Sequence, residues 1–263
     1  MTTKPVPRPV IIVQARMTSS RLPGKVLKKV LGRPLLQYLI ERLQRCKSTG
    51  EVVIATSTDS SDDPIVALCG SLEVPVVRGP LDDVLLRYWM AAKRYEADPV
   101  IRICSDCVLI DPEIIDEALE FFLSAPQRYD YVCNFFMRCY PRGFEVEVFT
   151  QEALKQAEGK ARKADEREHV TPFILRHKEL FSHGSVVSDK NLGMHRWVVD
   201  TEEDFELVNR VIEKLYPKNP EFSMEDIQQL LGEHPEWVAL NANVQQKLVE
   251  GMPGGIHDKS VTE

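Results

Sequence analysis

Apolar and polar residues alternate along this chain in blocks that predict strands followed by helices. Residues 10–13, 52–56 and 100–104 are short β-branched runs bounded by polar residues, which is the pattern of buried strands. Leucines at helical spacing within residues 35–46 predict a helix after the first of these strands. Strands that alternate with helices form mostly parallel sheets with helices on both faces. The pattern therefore predicts an α/β fold of that kind.

The remaining elements are predicted by the same periodicities. The strand predicted at residues 144–149 alternates apolar residues with glutamates, so we expect only one of its faces to be buried. We expect a single domain over residues 1–250 and a disordered, Gly-rich tail over residues 251–263. Further helices are predicted over residues 62–72, 82–96, 112–122, 151–178, 202–216 and 223–232, and further strands over residues 74–77, 130–133 and 197–199.

Composition narrows the class of protein. The 263 residues suffice for one sizeable α/β core, and the formal charge of −7 disfavours sequence-independent binding to nucleic acid. The apolar run at residues 10–13 is too short for a signal peptide or a membrane span, so we expect a cytoplasmic protein that does not bind membranes. The six cysteines are then expected as reduced thiols, and the single Cys104-Ser-Asp-Cys107 spacing does not indicate zinc.

The loop directly after the first predicted strand carries the most informative chemistry. Residues 14–25 read Gln-Ala-Arg-Met-Thr-Ser-Ser-Arg-Leu-Pro-Gly-Lys and contain the cations Arg16, Arg21 and Lys25 together with three hydroxyl groups. Ligands of open α/β sheets bind at the carboxyl ends of the strands. The loop therefore predicts a site for a phosphate-bearing ligand such as a nucleoside triphosphate. The alternative is a solvated basic loop before a helix.

Two aspartates stand at the ends of other predicted strands. Asp106 follows the strand at residues 100–104, and Asp200 follows the strand at residues 197–199. Carboxylates at such an edge can hold Mg²⁺ over phosphates that the first loop has gathered. The alternative for each is a helix N-cap. His169 could serve as a base, although a histidine on a helix is more often structural.

These residues resemble the motifs of a known family. Residues 15–25 closely resemble the signature loop of the sugar-acid cytidylyltransferases, which activate acylneuraminate and 3-deoxy-manno-octulosonate as CMP derivatives. The resemblance is greatest to the spore coat polysaccharide biosynthesis protein F branch, and it covers about residues 9–216. It continues in four further blocks, at residues 79–88, 102–112, 168–173 and 199–205.

The resemblance implies a fold, a substrate and a set of site residues. It implies the Rossmann-like fold of the nucleotide-diphospho-sugar transferases, CTP as substrate, Mg²⁺ as cofactor and a homodimer. It assigns Arg16, Lys25 and Asp106 to catalysis, and Asp106 and Asp200 to the metal. Nucleotide contacts are expected from Gln14, Ala15, Arg16, Ser19, Arg21, Lys25, Thr56, Asp83 and Ser105.

Two departures from the family pattern concern the acceptor. Many relatives have Gly-Asp-Cys-Pro where this chain has Ser-Asp-Cys-Val at residues 105–108, and Pro-Asp-Gly-Leu-Asp where it has Pro-Arg-Gly-Phe-Glu at residues 141–145. The added positive charge of Arg142 favours an anionic acceptor. We expect Arg142, Glu145 and His169 to bind it, within a subregion at residues 130–195 that also shapes the subunit contact.

The predicted activity is transfer of CMP from CTP to a sugar acid, or to a phosphate or phosphonate, with release of pyrophosphate. One alternative is a metal-dependent glycosyltransferase that uses a nucleotide sugar. Such enzymes usually carry an Asp-x-Asp motif, whereas Asp106 is followed by Cys107 and Val108. The other alternative is a non-catalytic nucleotide-binding protein.

Overall fold

The protein is described here by a computed structural model, which covers residues 7–125 and 128–247. The predicted tail at residues 251–263 lies outside the described residues. The strands are β1 (Val10–Gln14), β2 (Lys29–Val30), β3 (Arg33–Pro34), β4 (Glu51–Ser57), β5 (Val76–Gly79), β6 (Val100–Cys104), β7 (Tyr131–Cys133), β8 (Glu147–Phe149) and β9 (His183–Ser185). The helices are α1 (Leu35–Leu43), α2 (Asp63–Ser71), α3 (Val84–Arg94), α4 (Pro112–Ser124), α5 (Gln151–Lys160), α6 (Ala164–His169), α7 (Pro172–Arg176), α8 (Glu202–Leu215), α9 (Met224–Glu233) and α10 (Pro235–Val238).

Seven of these strands form one sheet, in the order β5-β4-β1-β6-β8-β7-β9. β5, β4, β1 and β6 are mutually parallel, β8 runs antiparallel to both β6 and β7, and β9 is parallel to β7. β2 and β3 form a separate antiparallel pair. This arrangement confirms the predicted α/β fold with a mostly parallel sheet.

Both faces of the sheet are covered, which explains the unbroken apolar run of β1. Ile11 and Val13 pack on one face, in a core shared with α1, α4, α8 and α9. Val10 and Ile12 pack on the other, in a core shared with α3, α5 and α7. Burial of each such side chain contributes roughly 1.5–3 kcal/mol. The strand ends are thereby held rigidly where the polar loops begin.

The strand expected to be half buried is buried on both faces. Of residues 144–149 only Glu147–Phe149 form a strand, and Glu147 is as buried as its apolar neighbours. Its carboxylate is paired with Arg102 and accepts hydrogen bonds from the hydroxyls of Tyr131 and Thr171, both at 2.6 Å. The glutamate is thus an internal group rather than a solvent-facing one, because its charge and lone pairs are satisfied inside the protein.

Two other predicted elements differ in the structure. Residues 197–199 are extended but belong to no strand, since the Trp197 amide donates to the Arg142 carbonyl at 2.8 Å instead of to a sheet neighbour. The long helix predicted over residues 151–178 is three helices, α5 to α7. The second break is a tight turn at Val170, where φ is +72° and the Thr171 amide donates to the His169 carbonyl at 2.9 Å.

Candidate functional site

The site lies where β1 and β6 end. Gln14 and Cys104 are the last residues of these strands and are aligned with each other, so the segments that follow the two strands begin side by side. A cavity of about 520 Å³ opens at this edge. It is therefore formed at the carboxyl end of parallel strands, as the sequence predicts for a ligand site.

The loop after β1 is tied into a closed arch. Gly24 has φ +70°, a conformation that favours glycine, and its amide donates to the Met17 carbonyl at 2.8 Å. The Met17 amide in turn donates to the buried Asp62 carboxylate at 2.7 Å, which anchors the arch beside β4. Lys25 comes next and begins a short 3-10 turn, Lys25–Leu27, with its side chain buried.

Lys25 joins the two predicted aspartates. Its Nζ donates to Asp106 Oδ2 at 2.9 Å, to Asp200 Oδ1 at 2.8 Å and to the Val199 carbonyl at 2.8 Å. The Val199 amide also donates to the Asp106 carbonyl at 3.1 Å, which brings the segment before Asp200 alongside Asp106. Residues from three distant parts of the chain thus meet around one ammonium group.

The pKa values of this cluster follow from burial and close charge. Burial by itself lowers the pKa of Lys25, but Asp106 and Asp200 outweigh it and raise that pKa above its usual value. Burial and the nearby Asp200 raise the pKa of Asp106, although Lys25 opposes them. Burial would also raise the pKa of Asp200, but Lys25, Arg21 and Arg196 together lower it below its usual value. Lys25 and Asp200 are therefore charged at neutral pH.

Asp200 is held by two arginines besides Lys25. Arg21 Nη2 lies 2.7 Å from Asp200 Oδ2, and Arg196 Nη2 lies 3.2 Å from the same oxygen. Arg196 is itself fixed by Asp204, whose two carboxylate oxygens each lie 2.8 Å from it. The N-cap of α8 is Thr201, whose hydroxyl accepts from the Asp204 amide. The alternative that Asp200 caps this helix is therefore wrong, and Asp111 rather than Asp106 caps α4.

The end of α6 also lines the cavity. Arg16 Nη2 lies 3.1 Å from Glu168 Oε1, which links the first loop to this helix. His169 also lines the cavity, and burial lowers the pKa of its imidazole below 6.5. The ring is therefore neutral at pH 7 and can accept a hydrogen bond. At the base of the cavity, Arg102 donates from Nη2 to Gln14 Oε1 at 3.1 Å.

Most of the predicted site residues line this cavity, and four do not. Those that line it are Gln14, Ala15, Arg16, Ser19, Arg21, Lys25, Ser105, Asp106, His169 and Asp200. Thr56 is buried, and its Oγ1 has no hydrogen-bond partner among residues 7–125 and 128–247. The Asp83 carboxylate caps α3 through the Leu86 amide and pairs with Arg167 at 2.5 Å.

The two remaining expected acceptor residues, Arg142 and Glu145, do not line the cavity, although the charge of Glu145 acts on the Asp106 carboxyl. Glu145 accepts from Arg138 Nη1 at 3.0 Å and from the Gly143 amide at 2.6 Å. Burial, reinforced by the neighbouring charge of Arg138, lowers the pKa of Arg142 to about 10. The structure thus separates this pair from His169, which faces the cavity directly.

Sequence reasoning missed several residues of the site. Arg102 had a visible signal, because it interrupts an otherwise apolar strand. Arg87 had a weaker one, as a buried charge on the core-facing side of α3. No sequence signal marks Arg196, Gln246 and Lys247. Only the folded chain brings them to Asp200 and to the cavity.

The donor set fits a divalent cation that shares its coordination with a ligand. Within residues 7–125 and 128–247 there is no group of three or more His, Cys, Asp or Glu residues that could enclose a metal. Asp106 and Asp200 nevertheless present two carboxylate oxygens to one cationic atom, the Lys25 Nζ. Mg²⁺ commonly uses one or two carboxylates together with substrate phosphates. The cavity as a whole can gather phosphates on its cations and a metal on its acids.

Two further predictions concern the cysteines and the membrane. All six cysteines are free in the structure, and burial raises the pKa of Cys104 to about 12, so its thiol is protonated at neutral pH. Across the part of the chain that the structure describes, no helix has the length and apolar character needed to cross a membrane.

Comparison with known proteins gives consistent matches over most of the chain. The family model described as "Cytidylyltransferase" matches residues 10–244. "Uncharacterized protein MJ1063" of Methanocaldococcus jannaschii is 36% identical over 241 residues, which are 90% of this chain and 95% of that protein. The spore coat polysaccharide biosynthesis protein SpsF of Bacillus subtilis is 29% identical over 86% of this chain and 95% of its own. A cytidylyltransferase structure from Leptospira borgpetersenii has a TM-score of 0.85 at 30% identity, covering 93% of this chain and 100% of that one.

Proposed function

This chain belongs to the cytidylyltransferase family, as its motifs predict, and from that premise we propose that it transfers CMP from CTP to a small anionic acceptor. The acceptor is a sugar acid, or a phosphate or phosphonate, and pyrophosphate is released. One observation carries the proposal. The first-loop cation Lys25 lies within 2.9 Å of both Asp106 and Asp200 in a cavity at the strand edge.

The chain's own residues supply positioning and charge. Arg16, Arg21 and Lys25 hold the triphosphate, because charge-assisted hydrogen bonds to phosphate are strong and directional. An acceptor oxygen forms a bond to the α-phosphorus, and the bond from that phosphorus to the bridging β-phosphate oxygen breaks. The electron pair leaves with pyrophosphate, whose growing charge the same cations stabilise. A hydroxyl acceptor also releases its proton, whereas a phosphate or phosphonate is already ionised.

We place a Mg²⁺ cofactor on Asp106 and Asp200. The support is their common approach to the Lys25 ammonium, which shows that the fold brings two carboxylate oxygens to one cation. When bound by such carboxylates, Mg²⁺ supplies charge neutralisation at phosphate oxygens.

The acceptor is placed on the side of the cavity next to His169. The neutral imidazole can accept a hydrogen bond there, and the positive charge that Arg142 adds to this region of the sequence favours an anion. A homodimer belongs to the same proposal, and light scattering on the purified protein tests it.

The deciding experiment is a pyrophosphate-release assay with CTP, ATP, GTP and UTP, each with and without Mg²⁺. Panels of sugar acids and of phosphonates serve as acceptors. The proposal expects release with CTP, dependent on Mg²⁺ and on one acceptor panel. Release of a nucleoside diphosphate from a nucleotide sugar would identify a glycosyltransferase instead. Tight CTP binding without turnover on either panel would identify a non-catalytic binding protein.

Replacing the Asp106 carboxylate tests the metal assignment. We expect Asp106→Asn to raise the Mg²⁺ concentration needed for half-maximal activity by at least about tenfold, because the amide gives up one charged oxygen ligand. The Mg²⁺ titration of the pyrophosphate assay measures this. Asp63→Asn is the matched control, since Asp63 is exposed and pairs with Arg78 outside the cavity. A titration of Asp106→Asn that overlays the wild-type curve would remove Asp106 from the metal site.

A further inference from the structure

The segment that follows α10 returns to the strand-edge cavity. Asn241 is buried, and its Nδ2 donates to the Arg196 carbonyl and to Asp204 Oδ1, both at 2.9 Å. Arg196 and Asp204 are the residues that brace Asp200. The start of this segment is thus anchored on the support of the proposed metal site.

A second anchor follows five residues later. Gln246 Oε1 accepts a hydrogen bond from Arg196 Nη1 at 2.5 Å. The other two nitrogens of this guanidinium, Nε and Nη2, donate to Asp204 and Asp200. Gln246 therefore takes the one remaining nitrogen, Nη1. Arg196 is almost fully buried, which makes it a fixed attachment point for the segment.

The next residue brings a cation into the cavity. Lys247 is exposed and lines the cavity together with the first loop. The three loop cations are engaged by carboxylates, because Arg16 pairs with Glu168, Arg21 with Asp200, and Lys25 with both aspartates. Lys247 forms no ion pair with residues 7–125 or 128–247, so its charge is not already neutralised by a described neighbour.

We propose that Lys247 is a phosphate-binding residue for the nucleoside triphosphate and that Gln246 is the positioning residue that holds it at the cavity. The proposal rests on the proposed function. It adds a site element beyond residue 244, where the match to the family model ends. The negative charge of a triphosphate exceeds what cations already paired with carboxylates can offset. A further cation that is not paired, such as Lys247, therefore strengthens its binding.

Titration calorimetry of CTP with the full chain, in the presence of Mg²⁺, tests the role of Lys247. We expect Lys247→Gln to weaken CTP binding about fivefold, the upper range for one exposed charge contact. Lys247→Arg should retain wild-type affinity. Cytidine, which carries no phosphate, should bind wild type and Lys247→Gln equally. Lys218→Gln is the matched control, since Lys218 is exposed and does not line the cavity.

A double-mutant cycle tests the role of Gln246. We expect Gln246→Leu to weaken CTP binding. The double variant, which also carries Lys247→Gln, should bind CTP no more weakly than Lys247→Gln alone, because Gln246 acts through Lys247. The KM for CTP should rise in each variant while kcat changes less than twofold. Additive losses, or a fall in kcat with KM unchanged, would overturn the positioning role.

The outcomes separate this inference from the function on which it rests. If wild type binds CTP and Lys247→Gln binds it equally well, the inference fails and the proposed function stands. If Lys247→Gln weakens cytidine as much as CTP, Lys247 is not a phosphate-binding residue. If wild type does not bind CTP at all, both proposals are overturned.

Discussion

Lys25 connects charges that come from opposite ends of the chain. Its ammonium lies between Asp106 and Asp200, which are separated from it by 81 and 175 residues. All three residues could be predicted as site residues, because Asp106 and Asp200 stand just after predicted strands and Lys25 belongs to the cationic loop that follows the first strand. The residues that hold these three in place could not be predicted. Glu168, Arg196 and Gln246 gain their roles only through contacts over long sequence separations, and no local pattern marks such contacts.

Removing the Lys25 charge should affect both turnover and stability. We expect Lys25→Met to lower the rate of pyrophosphate release about 10²–10³-fold, the usual effect of losing one preorganised donor to a developing charge. It should also lower the free energy of unfolding by about 3 kcal/mol, because two buried carboxylates lose their shared counterion.

The pyrophosphate-release assay measures the change in turnover, and urea unfolding measures the change in stability. Lys190→Met is the control for losing a lysine, since the pair of Lys190 with Glu225 is solvent-exposed and contributes little. A folded Lys25→Met protein with wild-type turnover would remove Lys25 from the mechanism.

At the scale of elements, the turn before β8 determines where Asp200 can lie. Gly143 has φ +98°, and a Cβ added to it would lie 2.5 Å from the Trp197 carbonyl oxygen. The close approach allows the Arg142 carbonyl to accept from the Trp197 amide, which fixes the extended segment that leads to Asp200. The apolar run Trp197-Val198-Val199 predicted a strand because burial and strand formation give the same sequence pattern. Its extended conformation was predictable, whereas its hydrogen-bond partners were not.

This turn gives a prediction with an internal control. We expect Gly143→Ala to lower the free energy of unfolding by at least about 2 kcal/mol, because it combines a strained φ with a backbone collision. Gly159→Ala should instead be neutral or stabilising by about 0.5 kcal/mol, since Gly159 is an exposed residue of α5 with open space at its Cβ. Urea unfolding of both variants measures the difference. Equal stabilities would show that the turn is not constrained as described.

At the scale of the whole molecule, opposite charges on separate halves of the chain close the site. The alternation of strands and helices was enough to predict the parallel half of the sheet, β5, β4, β1 and β6. The antiparallel insertion of β8 and the pairing of β7 with β9 were not predictable, because these strands have three residues each and carry little periodic signal. The later half of the chain, which contains these three strands, also supplies Glu168 and Asp200 to the first loop.

The pH dependence of stability should reflect this closure. The lowered pKa of Asp200 means that its carboxylate stabilises the fold above the unfolded-state value of about 3.9, and that this contribution is lost as the pH falls through the folded-state pKa. The raised pKa of Lys25 keeps the ammonium contribution complete below about 10.4, and that contribution is lost only as the pH rises through the folded-state pKa.

We therefore expect the stability difference between wild type and Asp200→Asn to be constant from about pH 5 to 9 and to shrink below about pH 4. Urea unfolding across this range measures it. Asp63→Asn, at an exposed position, should differ little from wild type at any of these pH values. A difference for Asp200→Asn that grows toward acid would contradict the assigned charge state.

The long reach of the Lys25 contacts also has a consequence for synthesis of the protein. Translation produces the first loop early, but its acidic partners at residues 168 and 200 appear only after most of the sheet has been made. Until then Lys25 can pair with Asp106 but not with Asp200, and Arg16 and Arg21 lack the carboxylates with which they pair in the complete fold. The Lys25 cluster can therefore be completed only after residue 200 has been synthesised.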